Sequence, residues 1–228
     1  RDYTTKRGLN RATQMKRQPG SALKPQAVYG PALELGYTTA SVLLDEKTSF
    51  GGYTPQNAGD RYYGRVTMRT ALRNSLNTTA VRLLEEIGIP RSIEYLNKMG
   101  IKTEKSDHNL SLALGSMTYG VTPEQLACAY VPYANGGMYY EPHCIVRITD
   151  SEGNTVYENA AEGTRVISEQ NAYLMTSMLQ SVISNGTGTR LQAANMQLAG
   201  KTGTVGRQQG YLDGRIQSFH RRIGMDGV

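Results

Sequence analysis

Leu23, Ala27, Pro31 and Leu35 recur at intervals of four, so the spacing predicts one helix over Ser21–Leu35. Ser21 is placed to cap its start, Gly36 to stop it, and Pro25 fits because it lies near the first turn. From Tyr37 to Tyr63 the period disappears and Gly, Pro, Asn and Thr take over, which reads as a long surface loop. Loops of that length usually carry function. Thr67–Gly88 regains a helical period, with Val66, Met68, Leu72, Ala80, Leu83, Leu84 and Ile87 on the buried side. Two pieces are expected there, because the short polar side chains around Ser75-Leu76-Asn77-Thr78 compete for backbone hydrogen bonds.

Pro90 opens a further helix to about Met99, and Thr122-Pro123-Glu124-Gln125 is a capping box whose helix ends at Gly136-Gly137. Cys144–Thr149 alternates apolar and polar, turns at Ser151-Glu152-Gly153-Asn154 and returns through Val156 and Tyr157, which predicts a hairpin. Ser168 caps a last long helix through Ala172, Met175, Met178, Leu179 and Val182, closed by Asn185-Gly186, and Leu198–Thr204 reads as a short strand. The sum is an α/β (α+β) fold: mostly helix, with a small antiparallel sheet.

The 228 residues suffice for one sizeable domain, and 39% hydrophobic against 19% charged residues call for a packed core. The formal charge is +6, yet the basic residues are spread out apart from Arg1–Arg17. No basic–aromatic array appears, so nucleic acid is not an expected partner. Cys128 and Cys144 lie in no metal-ligand spacing, and neither a metal nor another cofactor is expected. Cys128, within Leu126-Ala127-Cys128-Ala129-Tyr130, reads as a buried structural thiol; whether it pairs with Cys144 is left open. No stretch approaches the roughly 20 apolar residues of a membrane span, and no signal peptide opens the chain. A start at Arg1-Asp2-Tyr3 without Met reads as a piece of a longer protein, with any anchor upstream.

Chemistry concentrates in three short segments. Ser21-Ala22-Leu23-Lys24 sets a hydroxyl and an amine three apart on one helical face, where a desolvated lysine can take the serine proton. Backbone N–H groups at a helix start can also stabilise an oxyanion. Ser75-Leu76-Asn77 adds a hydroxyl and an amide at the helix break, and Lys201-Thr202-Gly203-Thr204 adds a cation, a hydroxyl and bare backbone on a strand. Taken singly, a helix cap with a solvated lysine, a helix break and a loop lysine explain them as well.

Taken together and in this order, the segments resemble the S-x-x-K, S-D-N and K-T-G motifs of class A β-lactamases and penicillin-binding proteins. Their placement at residues 21, 75 and 201 is similar to the transpeptidase domain of class A, bifunctional, penicillin-binding proteins. So are Arg11-Ala12-Thr13, Arg17-Gln18-Pro19-Gly20-Ser21, Tyr62-Tyr63-Gly64, Leu112-Ala113-Leu114-Gly115 and Tyr119-Gly120-Val121-Thr122-Pro123.

The resemblance implies a penicillin-binding-protein/serine β-lactamase-like fold and an acyl-serine D,D-transpeptidase that cross-links peptidoglycan stem peptides and is acylated by β-lactams. It makes Ser21 the nucleophile, Lys24 its base, Ser75 and Asn77 the proton relay and donor-peptide anchor, and Lys201 and Thr202 the carboxylate site. Gly203 would let the substrate backbone approach, and the N–H groups of Ser21 and Thr204 would form the oxyanion hole. It further implies an outward-facing domain of a cell-membrane protein, with an anchor and a glycosyltransferase domain upstream. The positive charge would then attract anionic wall polymers. Leu76, where β-lactamases have Asp, favours transpeptidase over lactamase; no equivalent of the lactamase deacylating acid is evident, since capping explains Glu162 and Glu169. A D,D-carboxypeptidase is the alternative that shares every motif, and a non-catalytic β-lactam-binding module or decayed fragment is the alternative from another class.

The resemblance runs from residue 1 to about 205 and stops. Family sheets continue after K-T-G-T with tryptophan-bearing strands, whereas this chain has no Trp, and residues 207–228 are Gly- and Arg-rich without alternation. The domain is therefore expected over 1–206, with an aberrant tail over 207–228 and an incomplete sheet. A change of reading frame near residue 206 would explain the tail: Met225 followed by Asp226 forces a tryptophan codon one base later. With a foreign tail, the strand carrying Lys201 is expected to be an exposed edge.

Overall fold

The computed structural model describes residues 8–192 and 196–204, and the backbone of 217–218 and 221–222. The chain first winds helically from Gly20 to Glu34, but not as the single α-helix that the four-residue spacing predicts. Gly20–Leu23 is a 3-10 turn, Pro25–Tyr29 a π turn, and only α1 (Gly30–Glu34) is α-helical. The prolines account for the change of pitch. Pro25 has no N–H, so the Lys24 N–H takes the Ser21 carbonyl instead, and the Pro25 carbonyl receives the Gly30 N–H five residues on. The cap position falls to Pro19, so Ser21 sits inside the first turn rather than before it.

The stretch read as a long loop contains β1 (Val42–Asp45), which pairs antiparallel with β2 (Gly64–Thr67). Four residues gave too short an apolar run to register as a strand, and Val66, expected on a helix, belongs to β2. Then follow α2 (Met68–Arg73), α3 (Asn77–Ile87) and α4 (Ile89–Lys98), with the predicted break at 74–76. α5 (Pro123–Ala134) begins at the capping box, where Thr122 accepts from the Gln125 N–H and the Gln125 side chain accepts from the Thr122 N–H.

β3 (Met138–Tyr139) pairs with β6 (Thr164–Arg165) across the predicted hairpin, β4 (Arg147–Thr149) and β5 (Thr155–Glu158). That hairpin is solvent-exposed on both faces, so its alternation does not mark a buried side. α6 (Glu169–Asn185) starts at Ser168, whose side chain accepts from the Asn171 N–H. The predicted last strand is split by Gly200-Lys201 into β7 (Leu198–Ala199) and β8 (Thr202–Gly203).

Each half of that strand has one partner and remains the edge of a two-stranded sheet. β8 pairs with β9 (Gln217–Ser218) and β7 with β10 (Arg221–Arg222), because ladder hydrogen bonds require backbone and not a particular sequence. The other calls on the tail lie outside the described residues.

The Gly20–Glu34 segment is the axis of the core. Leu23, Ala27, Val28, Tyr29 and Ala32 are fully buried, packed with Ala80, Val81, Leu83 and Leu84 of α3 and with Met175, Met178 and Val182 of α6. A helix apolar on all sides is one that lies inside a fold. Two carbonyls of this segment also accept from α5: Tyr130 donates to Ala22 at 2.6 Å and Tyr133 to Pro25 at 2.9 Å. α5 thus fixes the base of the turn that presents Ser21.

Cys128 is half-buried, and burial pushes its thiol pKa up; Cys144 is exposed, and the two do not pair.

Candidate active site

Lys24 is fully buried and points away from the helix axis toward the turn between α2 and α3. Its Nζ donates to the Asn77 Oδ1 at 2.7 Å, the Ser75 carbonyl at 2.8 Å and the Leu76 carbonyl at 2.9 Å, and lies 3.5 Å from the Ser75 Oγ. Lys201, 1% exposed, approaches from the break just before β8: its Nζ donates to the Ser75 Oγ at 2.7 Å and to the Thr202 carbonyl at 3.0 Å. Two buried amines therefore converge on one serine hydroxyl, with no carboxylate paired to either among the described residues.

Burial alone lowers the pKa of Lys201 to about 7. Burial first, and the positive charge of Lys201 second, hold Lys24 well below the usual ammonium range.

Ser75 reaches between the amines because its backbone is left-handed, φ 57°. A serine there is under backbone strain of the kind that collects at functional sites. The first turn of α3 holds it, since Asn77 anchors its own amide by donating from Nδ2 to the Gln56 carbonyl at 2.7 Å.

Ser21 is half-buried, and the backbone on either side of it is set by close contacts. A Cβ on Gly20 would lie 2.5 Å from the Thr204 carbonyl oxygen, one on Gly203 2.5 Å from that of Pro19, and one on Gly115 2.1 Å from that of Gly20. The strand end at Thr204, the Leu110–Leu114 turn and the Ser21 turn are thus pressed together with no room for side chains. Thr202 is tied by a 2.6 Å hydroxyl contact to Thr187, beyond the end of α6.

The eight residues predicted from the sequence lie on the Ser21 turn, the α2–α3 turn with the first residue of α3, and residues 201–204 around β8. No hydrogen bond joins Ser21 to Lys24, whose hydrogen bonds all go to the second motif. Catalytic hydrogen bonds are often long in unliganded enzymes.

A buried polar group beneath the α2–α3 turn escaped sequence reasoning. Asp45, fully buried at the end of β1, accepts from the Asn57 Nδ2 at 2.7 Å, the Tyr63 N–H at 2.9 Å and the Thr78 hydroxyl. The available signal was an acid closing the apolar run Val42-Leu43-Leu44. Among the described residues no group of three or more His, Cys, Asp or Glu could hold a metal ion.

The model of the penicillin binding protein transpeptidase domain matches residues 2–217. The chain belongs to this family. It is 47% identical over 206 residues to penicillin-binding protein 1F of Bacillus subtilis, covering 90% of this chain and 28% of that protein. It is 38% identical over 221 residues to penicillin-binding protein 1A of Streptococcus pneumoniae, covering 92% and 30%. The solved structure of penicillin-binding protein 1A from Haemophilus influenzae superposes with a TM-score of 0.74 at 30% identity, over 86% of this chain and 35% of that one. The chain thus spans about a third or less of the length of these relatives. Penicillin-binding protein A of M. tuberculosis, 21% identical with a TM-score of 0.76, shares the fold. No described helix of this penicillin-binding transpeptidase domain is long and apolar enough to cross a membrane.

Proposed function

We propose that this domain is an acyl-serine D,D-transpeptidase acting on peptidoglycan stem peptides and acylated by β-lactams. The observation that carries the reading is the meeting of two buried, pKa-lowered lysines at the Ser75 hydroxyl beside the Ser21 turn.

Neutral Lys24 gives up one of its three contacts, turns its lone pair to Ser21 and removes the hydroxyl proton as Oγ attacks the carbonyl of a terminal D-Ala-D-Ala. The oxyanion is held by the N–H groups of Ser21 and Thr204. Ser75, between the two amines, passes a proton to the departing D-Ala nitrogen. Asn77 holds the donor peptide amide, Lys201 and Thr202 the terminal carboxylate, and Gly203 admits the substrate backbone. An amine of a second stem peptide then attacks the Ser21 ester and releases the enzyme. A β-lactam forms the same ester but retains its leaving group, so the acyl step stalls. The chemistry needs no cofactor.

In the whole protein the domain faces outward from the cell membrane, behind an anchor and a glycosyltransferase domain. Its boundary is near residue 206, and residues 207–228 are a tail from a shifted reading frame. The missing tryptophans support that boundary, whereas the family match runs past it to residue 217. Sequencing the gene tests it, and a frame one base later that lacks the family's codons over residues 209–227 would remove the idea.

The catalytic reading is tested by covalent labelling of the chain with a fluorescent penicillin, mass spectrometry of the modified peptide, and a Ser21→Ala control. Label on Ser21 is expected; a folded chain that takes none would overturn the reading. Turnover of a D-Ala-D-Ala peptide with and without an amine acceptor separates transpeptidation from carboxypeptidation.

A further inference from the structure

We propose that Asp45 and Asn57 are positioning residues for the base Lys24, acting through the start of α3. The inference rests on the proposed function, in which Lys24 activates Ser21.

Asp45 is a fully buried carboxylate with no ion pair among the described residues, an arrangement that is costly unless its oxygens are well hydrogen-bonded. Its main partner is Asn57, 5% exposed, and every polar atom of that amide is committed. The Nδ2 donates to the Asp45 Oδ1 at 2.7 Å and to the Arg61 carbonyl at 2.9 Å; the Oδ1 accepts from the Asn77 N–H at 2.7 Å and the Thr78 N–H at 3.3 Å. Reversing the amide would set its oxygen against two acceptors and its NH2 against two donors. Asp45 and Arg61 therefore fix which way Asn57 faces.

The N–H groups that Asn57 receives are the first two of α3. The residue at the cap position, Leu76, has no acceptor in its side chain, so the helix is capped from another segment of chain. Directly before that capped turn stands the left-handed Ser75, and the first residue within it is Asn77, whose Oδ1 holds the Lys24 Nζ at 2.7 Å. The hydrogen bonds thus run without a gap from Asp45 to Asn57, to the Asn77 backbone, and through the Asn77 side chain to Lys24. Thr78 closes the circuit by donating its hydroxyl back to Asp45. The α2–α3 turn carries the whole second motif. An uncapped turn would let Ser75 and Asn77 drift from the amine, and geometry at reacting groups tolerates little drift.

The test is pre-steady-state acylation of the full chain by a chromogenic cephalosporin, which separates non-covalent binding from the acylation rate constant. Asn57→Ala is expected to lower the rate constant roughly 10- to 100-fold, the usual cost of losing an orienting partner, with binding unchanged. An unchanged rate constant, or a loss confined to binding, would overturn the proposal.

A second comparison stands if that variant does not fold. Asn57→Asp alone sets a carboxylate oxygen against both Asp45 and the Arg61 carbonyl. Asn57→Asp with Asp45→Asn restores the donor–acceptor pair between residues 45 and 57 and still caps α3, leaving only the Arg61 carbonyl opposed, so acylation above that of the Asn57→Asp single variant is expected. Recovery of acylation in the double variant supports the assignment; no recovery in a folded double variant sinks it. Wild-type chain that is never acylated would overturn the proposed function itself, and this inference with it.

Discussion

The Nζ of Lys201 donates to the Ser75 hydroxyl at 2.7 Å, and this contact joins the last motif of the chain to the middle one. Ser75 is also the side chain that Lys24 approaches, at 3.5 Å from its Oγ. Ser75→Ala removes the only atom that both amines share in this network. It is expected to lower the acylation rate constant by about 10² to 10⁴, the range of a lost proton-transfer group, while the chain stays folded. Labelling kinetics with a fluorescent penicillin measure the first effect and thermal unfolding the second.

The same residue makes a separate stability prediction from its backbone. Ser75 holds φ 57°, a region that costs a residue with a Cβ on the order of 1 kcal/mol or more, and glycine little. Ser75→Gly and Ser75→Ala both lose the hydroxyl, so their difference isolates the backbone. The glycine variant is expected to be the more stable of the two by about 1 kcal/mol in chemical denaturation.

Lys201 gives the pH dependence a definite sign. Its folded pKa is about 7 against 10.5 as the ordinary value, so between these limits the unfolded chain binds more protons than the folded one. Stability from this group therefore rises with pH from about 7 to 10.5 and levels off below, and Lys24, lowered by burial and by Lys201, adds the same sign. Lys201→Met is expected to flatten the rise in melting temperature across that window. Acylation of the wild-type chain should in turn fall on the acidic side as Lys24 becomes protonated, with the apparent midpoint belonging to the lysine pair. A midpoint that does not move in Lys201→Met would separate the acidic limb from this residue.

Much of the site was legible because its three motifs carry unusual chemistry in a fixed order. The helix starts at Thr122 and Ser168 were legible too, since a hydroxyl cap announces itself locally. The pitch of Gly20–Glu34 was not. A four-residue spacing of Leu23, Ala27, Pro31 and Leu35 suits an α-helix, but the missing N–H groups of Pro25 and Pro31 change the hydrogen bonding, and exposed Leu35 lies beyond the last turn. β1 was lost because its partner β2 is far along the chain and pairing of that kind leaves no local period. With β1 went Asp45, whose meaning depends on Asn57, Tyr63 and Thr78 arriving from three other places.

Tyr133 tests how far the scaffold can be loosened without touching the chemistry. Its hydroxyl donates to the Pro25 carbonyl at the π turn, behind the Ser21 face. Tyr133→Phe keeps the ring and removes that bond, so a loss of about 1 kcal/mol in unfolding free energy is expected with penicillin still taken up on Ser21. A folded Tyr133→Phe variant that cannot be acylated would mean that the turn depends on α5 for its geometry as well as its stability.

Gly115 and Gly36 separate steric clash from backbone preference. Both have a left-handed backbone, φ 74° and φ 90°, so alanine at either position bears the same class of conformational cost, about 1 kcal/mol. At Gly36 a Cβ meets nothing within 4 Å, whereas at Gly115 it would lie 2.1 Å from the Gly20 carbonyl oxygen, directly behind the nucleophile. Gly36→Ala should therefore lose only that conformational term and be acylated at the wild-type rate. Gly115→Ala must push the Gly20–Ser21 turn aside, and it is expected to lose about 2 to 3 kcal/mol more and most of its acylation rate. Parallel denaturation and penicillin-labelling time courses on the two variants decide the matter. Equal effects at both positions would show that the close backbone approach at Gly20 does not set the nucleophile.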